Sequence, residues 1–319
     1  MTTTMRAVRQ EVLGGPDVLR EVEVPKPEPG FSQILVRVHA AGVNPTDFGH
    51  RAYPLFLGPP PFTLGWDVSG VVEGTGFGVT LFKPGDEVFG MLPYPHGVGS
   101  HAEYVAGPTR AFANKPENVD HVQAGALPLA ALTAWQALND TAHLRAGQRV
   151  LIHAAAGGVG HLAVQIAKAR GAYVIGTASA RNHDLLRGLG ADEVIDYTET
   201  DFAAAATDVD VVLNSVGGDY PARSLRTLRP GGMLVCLLPF PPEVAEEAGR
   251  LGVRAELMLV EHDHAGMTAI ADLVTEGRLR PVIAGIFPLA DAAKAHELGE
   301  TRHVAGKLVL TPDSGNGAK

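Results

Sequence analysis

Val150-Leu-Ile-His-Ala-Ala-Ala-Gly-Gly-Val-Gly-His-Leu-Ala-Val-Gln165 decides the fold class of this 319-residue chain. A compact apolar run ends at His153, a turn of small residues follows, and apolar residues then recur at helical spacing. That pattern predicts a strand running through a glycine-rich turn into a helix over Val159 to Arg170. The first turn of such a helix carries unpaired N–H groups and the positive end of the dipole, a seat for a pyrophosphate. Gly157 would let the backbone approach phosphate, and Gly160 would let helix and strand pack closely. Ala155 stands where the G-x-G-x-x-G pattern has its first glycine, so the pattern draws its weight from its place in a βαβ unit. The bland alternative is a tight βα turn in an unrelated sheet.

Working outward, apolar runs continue to alternate with helical stretches. Arg149-Val-Leu-Ile-His, Ala172-Tyr-Val-Ile-Gly, Glu193-Val-Ile-Asp, Val209-Asp-Val-Val-Leu and Gly232-Met-Leu-Val-Cys-Leu-Leu read as strands. Buried runs separated by helices predict a parallel, doubly wound sheet. The second strand bears on the cofactor. An acidic residue about 20 residues after the glycine turn usually meets the ribose of NAD. Here that slot, in Gly176-Thr-Ala-Ser-Ala-Arg, is Ala178. Ser179 can hydrogen-bond a 2′-phosphate and Arg181 can supply charge, so NADPH is expected rather than NADH. The competing reading has Ser179 capping the next helix and Arg181 solvated.

Residues 1 to about 125 are short apolar runs cut by glycine and proline, which predicts a mainly β region. After about residue 265 come a helix from Met267 to Glu276, the run Pro281 to Phe287, a helix near Asp291 to Leu298, and a last strand, Gly306-Lys-Leu-Val-Leu. The tail from Thr311 is polar and is expected to lack fixed structure. Apolar residues make up 45% and charged residues 19%, with net charge −9, so nucleic acid and anionic membranes are not expected partners. No apolar run is long enough to span a bilayer, and the N-terminus does not read as a secretory signal. Cys236, the only cysteine, allows no intrachain disulfide and no tetracysteine zinc lobe. A cytoplasmic location is the expectation.

The chain resembles the medium-chain dehydrogenase/reductase superfamily, specifically its zinc-free quinone oxidoreductase-like branch. The resemblance rests on Ala41-Gly-Val-Asn-Pro-Thr-Asp, Gly65-Trp-Asp-Val-Ser-Gly-Val-Val, Lys83-Pro-Gly-Asp-Glu-Val-Phe-Gly and Ala102-Glu-Tyr-Val. It continues through Ala126-Leu-Pro-Leu-Ala-Ala-Leu-Thr-Ala-Trp-Gln, the glycine turn, Leu189-Gly-Ala-Asp and Gly306-Lys-Leu-Val-Leu. It implies an α/β protein: a GroES-like β domain over 1–125, completed by 265–319, and a Rossmann NADPH-binding domain over 126–264. The active site would lie between them, and relatives' habit implies a homodimer. Alcohol dehydrogenases of the superfamily place zinc-binding Cys and His where this chain has Asn44 and Trp66. An amide is a poor zinc ligand and indole offers none, so no metal is expected. The His262-Asp-His264 pair reads as a solvated turn.

Without zinc, simple alcohol oxidation is disfavoured, whereas a quinone or enone delocalises the charge left by hydride addition. The resemblance points to Asn44, Asp47 and Tyr53 as candidate catalytic residues. Asn44 and Asp47 are equally good turn and cap chemistry, and Tyr53 could simply shape a pocket wall. Candidate cofactor contacts are Thr133, Ala156, Gly157, Gly158, Val159, Gly160, Thr177, Ser179, Arg181, Tyr197, Asn214, Ser215, Val216, Leu237, Leu238 and Lys307. A surface lysine is the alternative for Lys307. His96 and His101, in a glycine-rich loop, receive no role. The expected function is NADPH-dependent reduction of a small quinone or enone. A tailoring enoyl reductase and a non-catalytic NADPH-binding sensor are the competing readings.

Overall fold

A computed structural model describes residues 3–312, so the expected disorder of the tail falls outside the described residues from 313 onward. The described chain divides into two compact units, 3–132 together with 261–312, and 133–260.

In the first unit the long strand Gln33–Val43 is the organising element. It pairs antiparallel with Asp67–Thr75, Tyr104–Pro108 and the C-terminal strand Lys307–Thr311. The register Leu308↔Val43, Val309↔Gly42 and Leu310↔Ala41 puts the chain's last strand beside its third. Ile283–Pro288, Glu87–Met91 and Phe112–Asn114 extend this sheet to seven strands, and a smaller sheet of Arg20–Pro25, Thr4–Gln10 and Phe62–Thr63 accompanies it. Val8, Leu19, Val43, Leu64, Leu289, Ala292, Leu308 and Leu310 form one core cluster, so apolar burial joins the C-terminal segment to the N-terminal β region.

The second unit is a six-stranded sheet in the order Glu193–Asp196, Tyr173–Ala178, Arg149–Ile152, Val209–Asn214, Leu228–Cys236, Arg254–Leu257. Every pairing is parallel. This is the 3-2-1-4-5-6 order of a Rossmann sheet, and the order reverses beside Arg149–Ile152, the strand that leads into the glycine turn. Leu151, Ile175, Val212 and Leu234 are fully buried, which is why these strands read as unbroken apolar runs.

Boundaries moved where capping chemistry was not read. The helix expected from Met267 begins at His264, because the Asp263 carboxylate accepts from the N–H groups of Ala265 and Gly266. The His262-Asp-His264 stretch is therefore a helix start and not a solvated turn. The His264 imidazole Nδ1 lies 2.7 Å from the Phe112 carbonyl, so it carries the hydrogen. His101, expected in an open loop, is fully buried near the Gly42 carbonyl.

Candidate active site

In the second unit the strand Arg149–Ile152 delivers His153 into the turn, where Ala154 adopts φ +48°. A Cβ on Gly160 would stand 2.3 Å from the Ala154 carbonyl oxygen, so only glycine fits where the helix Gly160–Ala169 meets the turn. At Gly157 the same contact would be 3.2 Å, a milder conflict. Among the described residues the N–H groups of Gly158 and Val159 have no protein acceptor, and both residues are half-buried. Two unpaired donors at the head of a ten-residue helix suit a phosphate.

A buried chain of hydrogen bonds fixes this turn, and it escaped the sequence reading. The Ala154 N–H donates to Thr177 Oγ1 at 3.3 Å, His153 Nδ1 lies 3.3 Å from that oxygen, and His153 Nε2 lies 2.9 Å from Ser224 Oγ. Ser224 Oγ spends its own hydrogen on the Tyr220 carbonyl at 2.7 Å. Ser224 must therefore accept from His153 Nε2–H, which leaves Nδ1 to accept from Thr177. Burial pushes the His153 imidazole down to about 3, with Arg223 adding to the shift, so the ring stays neutral and keeps this tautomer. Thr177 thus braces the turn from inside the fold.

Beyond Thr177 the strand ends at Ala178, and Ser179 starts the 3-10 turn Ala180–Asn182 without a capping bond from its side chain. The capping reading of Ser179 gives way to a half-buried hydroxyl, with Arg181 exposed two residues on. A carboxylate does sit nearby: Asp196, paired in register with Ala178, accepts from the N–H of Ala180 at 2.9 Å and from both the N–H and O–H of Thr198. It lies on the adjacent strand, so counting along the second strand could not find it. The Thr198 hydroxyl and backbone N–H hold its pKa below the ordinary carboxylate range.

Tyr197 follows, with its ring 45% exposed. Asn214 closes a small turn, its Oδ1 accepting from the Val216 N–H and its Nδ2 donating to the Val216 carbonyl, while Ser215 Oγ donates to the His153 carbonyl. The Leu237 N–H donates to the Asn214 carbonyl, which holds Leu237 beside this loop, and Leu238 is exposed. Ala156 and Thr133 are buried.

The first unit carries the other candidates. Asn44, Asp67 and Lys307 form a buried polar knot. Lys307 Nζ donates to Asn44 Oδ1, to Asp67 Oδ2 at 3.2 Å and to the Val43 carbonyl at 3.3 Å. Asn44 Nδ2 donates to Asp67 Oδ2 at 2.9 Å, and the Leu129 N–H donates to Asp67 Oδ1 at 2.6 Å. Lys307 is only 3% exposed, so the surface-lysine alternative is overturned: its ammonium has three protein acceptors inside the sheet. Asp47 lies beside the knot at the head of the helix Pro45–Ala52, accepting from the N–H groups of Asn44 and Gly65. Burial and the neighbouring Asp67 push it up to about 7, against the pull of the Asn44 N–H and Lys307.

Tyr53 ends that helix and is 65% exposed, and among the described residues its hydroxyl has no partner. Trp66 is fully buried among rings, 5.2 Å from those of both Tyr94 and His50. Among the described residues no group of three or more His, Cys, Asp or Glu side chains could hold a metal ion.

Comparison with known proteins gives the same architecture. Residues 30–117 match the family described as alcohol dehydrogenase GroES-like domain, and 189–310 match zinc-binding dehydrogenase. A 2-haloacrylate reductase from a Burkholderia species is 36% identical over 94% of this chain and 97% of its own length. The quinone oxidoreductase of Coxiella burnetii superposes with TM-score 0.92 at 41% identity, covering 98% of this chain and 100% of that one. Escherichia coli quinone oxidoreductase, solved in complex with NADPH, gives TM-score 0.86 at 29% identity over 96% of this chain and 100% of its own.

Proposed function

The chain belongs to the medium-chain dehydrogenase/reductase superfamily, in its quinone oxidoreductase-like branch, and we propose that it is an NADPH-dependent reductase of quinones or α,β-unsaturated carbonyls working without zinc. The observation that carries this reading is the head of the helix Gly160–Ala169. There two unpaired N–H groups stand beside a glycine that no other residue can replace, at the switch point of a Rossmann sheet. Gly158 and Val159 would hold the pyrophosphate, Ser179 and Arg181 the 2′-phosphate, and the Asn214–Val216 turn with Leu237 the remaining length of the dinucleotide. When bound, NADPH supplies a hydride; with one proton added, a quinone becomes a hydroquinone and an enone its saturated carbonyl.

The donor set of the first unit does not suit zinc. Asn44 Oδ1, the only ligating atom at its position, already accepts from the Lys307 ammonium, and Trp66 offers only an N–H. That supports an acceptor whose own conjugation spreads the developing charge. Asn44 and Asp47 are proposed to act from within the buried knot, as supports of the substrate side.

We further propose a homodimer formed through the outer strand Arg254–Leu257, where Leu257 and Leu259 are more than half exposed. No helix among the described residues is long and apolar enough to cross a membrane, and a cytoplasmic location is proposed. The test is turnover by chelator-treated protein: NADPH oxidation that depends on added 9,10-phenanthrenequinone or on a simple enone supports the reading. Activity that needs added zinc, or is seen only with simple alcohols, contradicts it.

A further inference from the structure

We propose that Tyr94 presents the phenol that hydrogen-bonds the carbonyl oxygen of the acceptor, beside the exposed ring of Phe56 and backed by the buried rings of Trp66 and His50. The assignment rests on the reductase reading above. It starts from counting hydrogens. His50 Nδ1 lies 2.8 Å from the Thr46 carbonyl oxygen, which can only accept, so Nδ1 carries the ring hydrogen. Thr46 Oγ1, 3.2 Å from the same Nδ1, can therefore only accept there. Its own hydrogen has one acceptor within reach among the described residues, the Tyr94 phenol oxygen at 3.1 Å. That leaves the phenol O–H of Tyr94 free to donate, and among the described residues it meets no acceptor. A hydroxyl that already receives a hydrogen bond is a better donor through its own hydrogen. Burial holds the phenol above its ordinary range, so it stays protonated near neutral pH.

The surroundings suit a flat conjugated acceptor. The Tyr94 ring lies edge-on to Trp66 at 5.2 Å, to Phe56 at 6.3 Å and to His50 at 6.2 Å. Phe56 leaves 54% of its surface exposed, offering a ring face that no described side chain covers by stacking. Tyr53 is the contrast: among the described residues no hydrogen bond or ring contact orients its side chain. A donor fixed by its neighbours stabilises developing negative charge better than one that must be ordered during the reaction.

The experiment uses the full chain and compares wild type with Tyr94→Phe, Tyr53→Phe and Thr46→Val in acceptor-dependent NADPH oxidation, with NADPH binding measured separately. The expected result for Tyr94→Phe is unchanged NADPH affinity and a fall in kcat/KM of about tenfold to a hundredfold, the range between an ordinary hydrogen bond and an oxyanion donor. Tyr53→Phe is expected to lose less. If Tyr94→Phe does not fold, Thr46→Val keeps the ring and removes the hydrogen bond that orients it, and a several-fold fall is expected. Kinetics of either Tyr94→Phe or Thr46→Val equal to wild type, or a larger loss in Tyr53→Phe, would overturn the assignment while leaving the reductase reading intact. A wild type that binds NADPH and reduces no carbonyl acceptor would remove both.

Discussion

Lys307 Nζ and Asp67 Oδ2, from strands 240 residues apart, meet at 3.2 Å with both side chains out of solvent. This pair ties the strand Lys307–Thr311 to the head of the strand Asp67–Thr75. Lys307→Met would leave the Asp67 carboxylate buried without its cation, a loss expected to cost about 3–5 kcal/mol. Urea unfolding should show that loss, and Lys307→Met with Asp67→Asn should recover part of it. A single variant as stable as wild type would mean that the ammonium contributes nothing net.

Asp47 should reveal itself through pH. Its folded value near 7 exceeds the ordinary carboxylate value, so the folded state holds this proton more tightly than the unfolded chain does. Its contribution to stability is then greatest at low pH and is lost as pH rises toward and through about 7. Relative to Asp47→Asn, wild type should lose stability between about pH 4 and pH 7, by an amount on the order of 2–4 kcal/mol, and little more above it. A difference that stays flat across that window would refute the buried, partly protonated carboxyl.

Buried imidazoles act in the opposite sense over an overlapping range. Burial lowers His101 to about 4 and His153 to about 3, and lowers His296 as well. At these imidazoles the unfolded chain binds more protons than the folded one below about pH 6.5, so their contribution to stability falls as pH drops from there toward 4. His153→Phe should flatten part of that acid slope. It should also weaken NADPH binding several-fold, because Thr177, which accepts from the Ala154 N–H, loses the His153 acceptor that orients its hydroxyl. Cofactor affinity equal to wild type would separate this buried chain from the binding turn.

Gly160→Ala places a methyl 2.3 Å from the Ala154 carbonyl oxygen, and no flexible side chain can yield there. Loss of NADPH binding by more than about tenfold is expected, with a lesser loss for Gly157→Ala, where the contact is 3.2 Å. Isothermal titration would measure both. Equal losses would show that the close helix approach does not set the phosphate seat.

The nucleotide-binding sheet was legible because its strands are buried on both faces and appear as short apolar runs between helices, as at Val209–Asn214. The glycine turn was legible for the same local reason. What stayed hidden depends on partners distant in sequence. Nothing around Gly306-Lys307 shows that this lysine is buried against Asp67, since charge pairing between remote strands leaves no periodicity. Asp196 reaches the Ser179–Ala180 turn from a neighbouring strand, which a count along one strand does not see. Ser179 looked like a cap by residue type, yet its side chain makes no capping bond, whereas Asp263, passed over between two histidines, makes two. Tyr94 gained significance only when the hydrogens on Thr46 and His50 could be counted.

Asp196 sets the cofactor choice against Arg181, because a carboxylate near Ser179 opposes a 2′-phosphate. The most direct measurement is steady-state turnover of 9,10-phenanthrenequinone with NADPH and with NADH, in wild type and in Arg181→Ala. Quinone-dependent oxidation is expected with kcat/KM at least tenfold higher for NADPH, with a preference that shrinks in the variant as the KM for NADPH alone rises. Equal or better use of NADH, or binding of NADPH with no oxidation by any conjugated acceptor, would contradict that expectation.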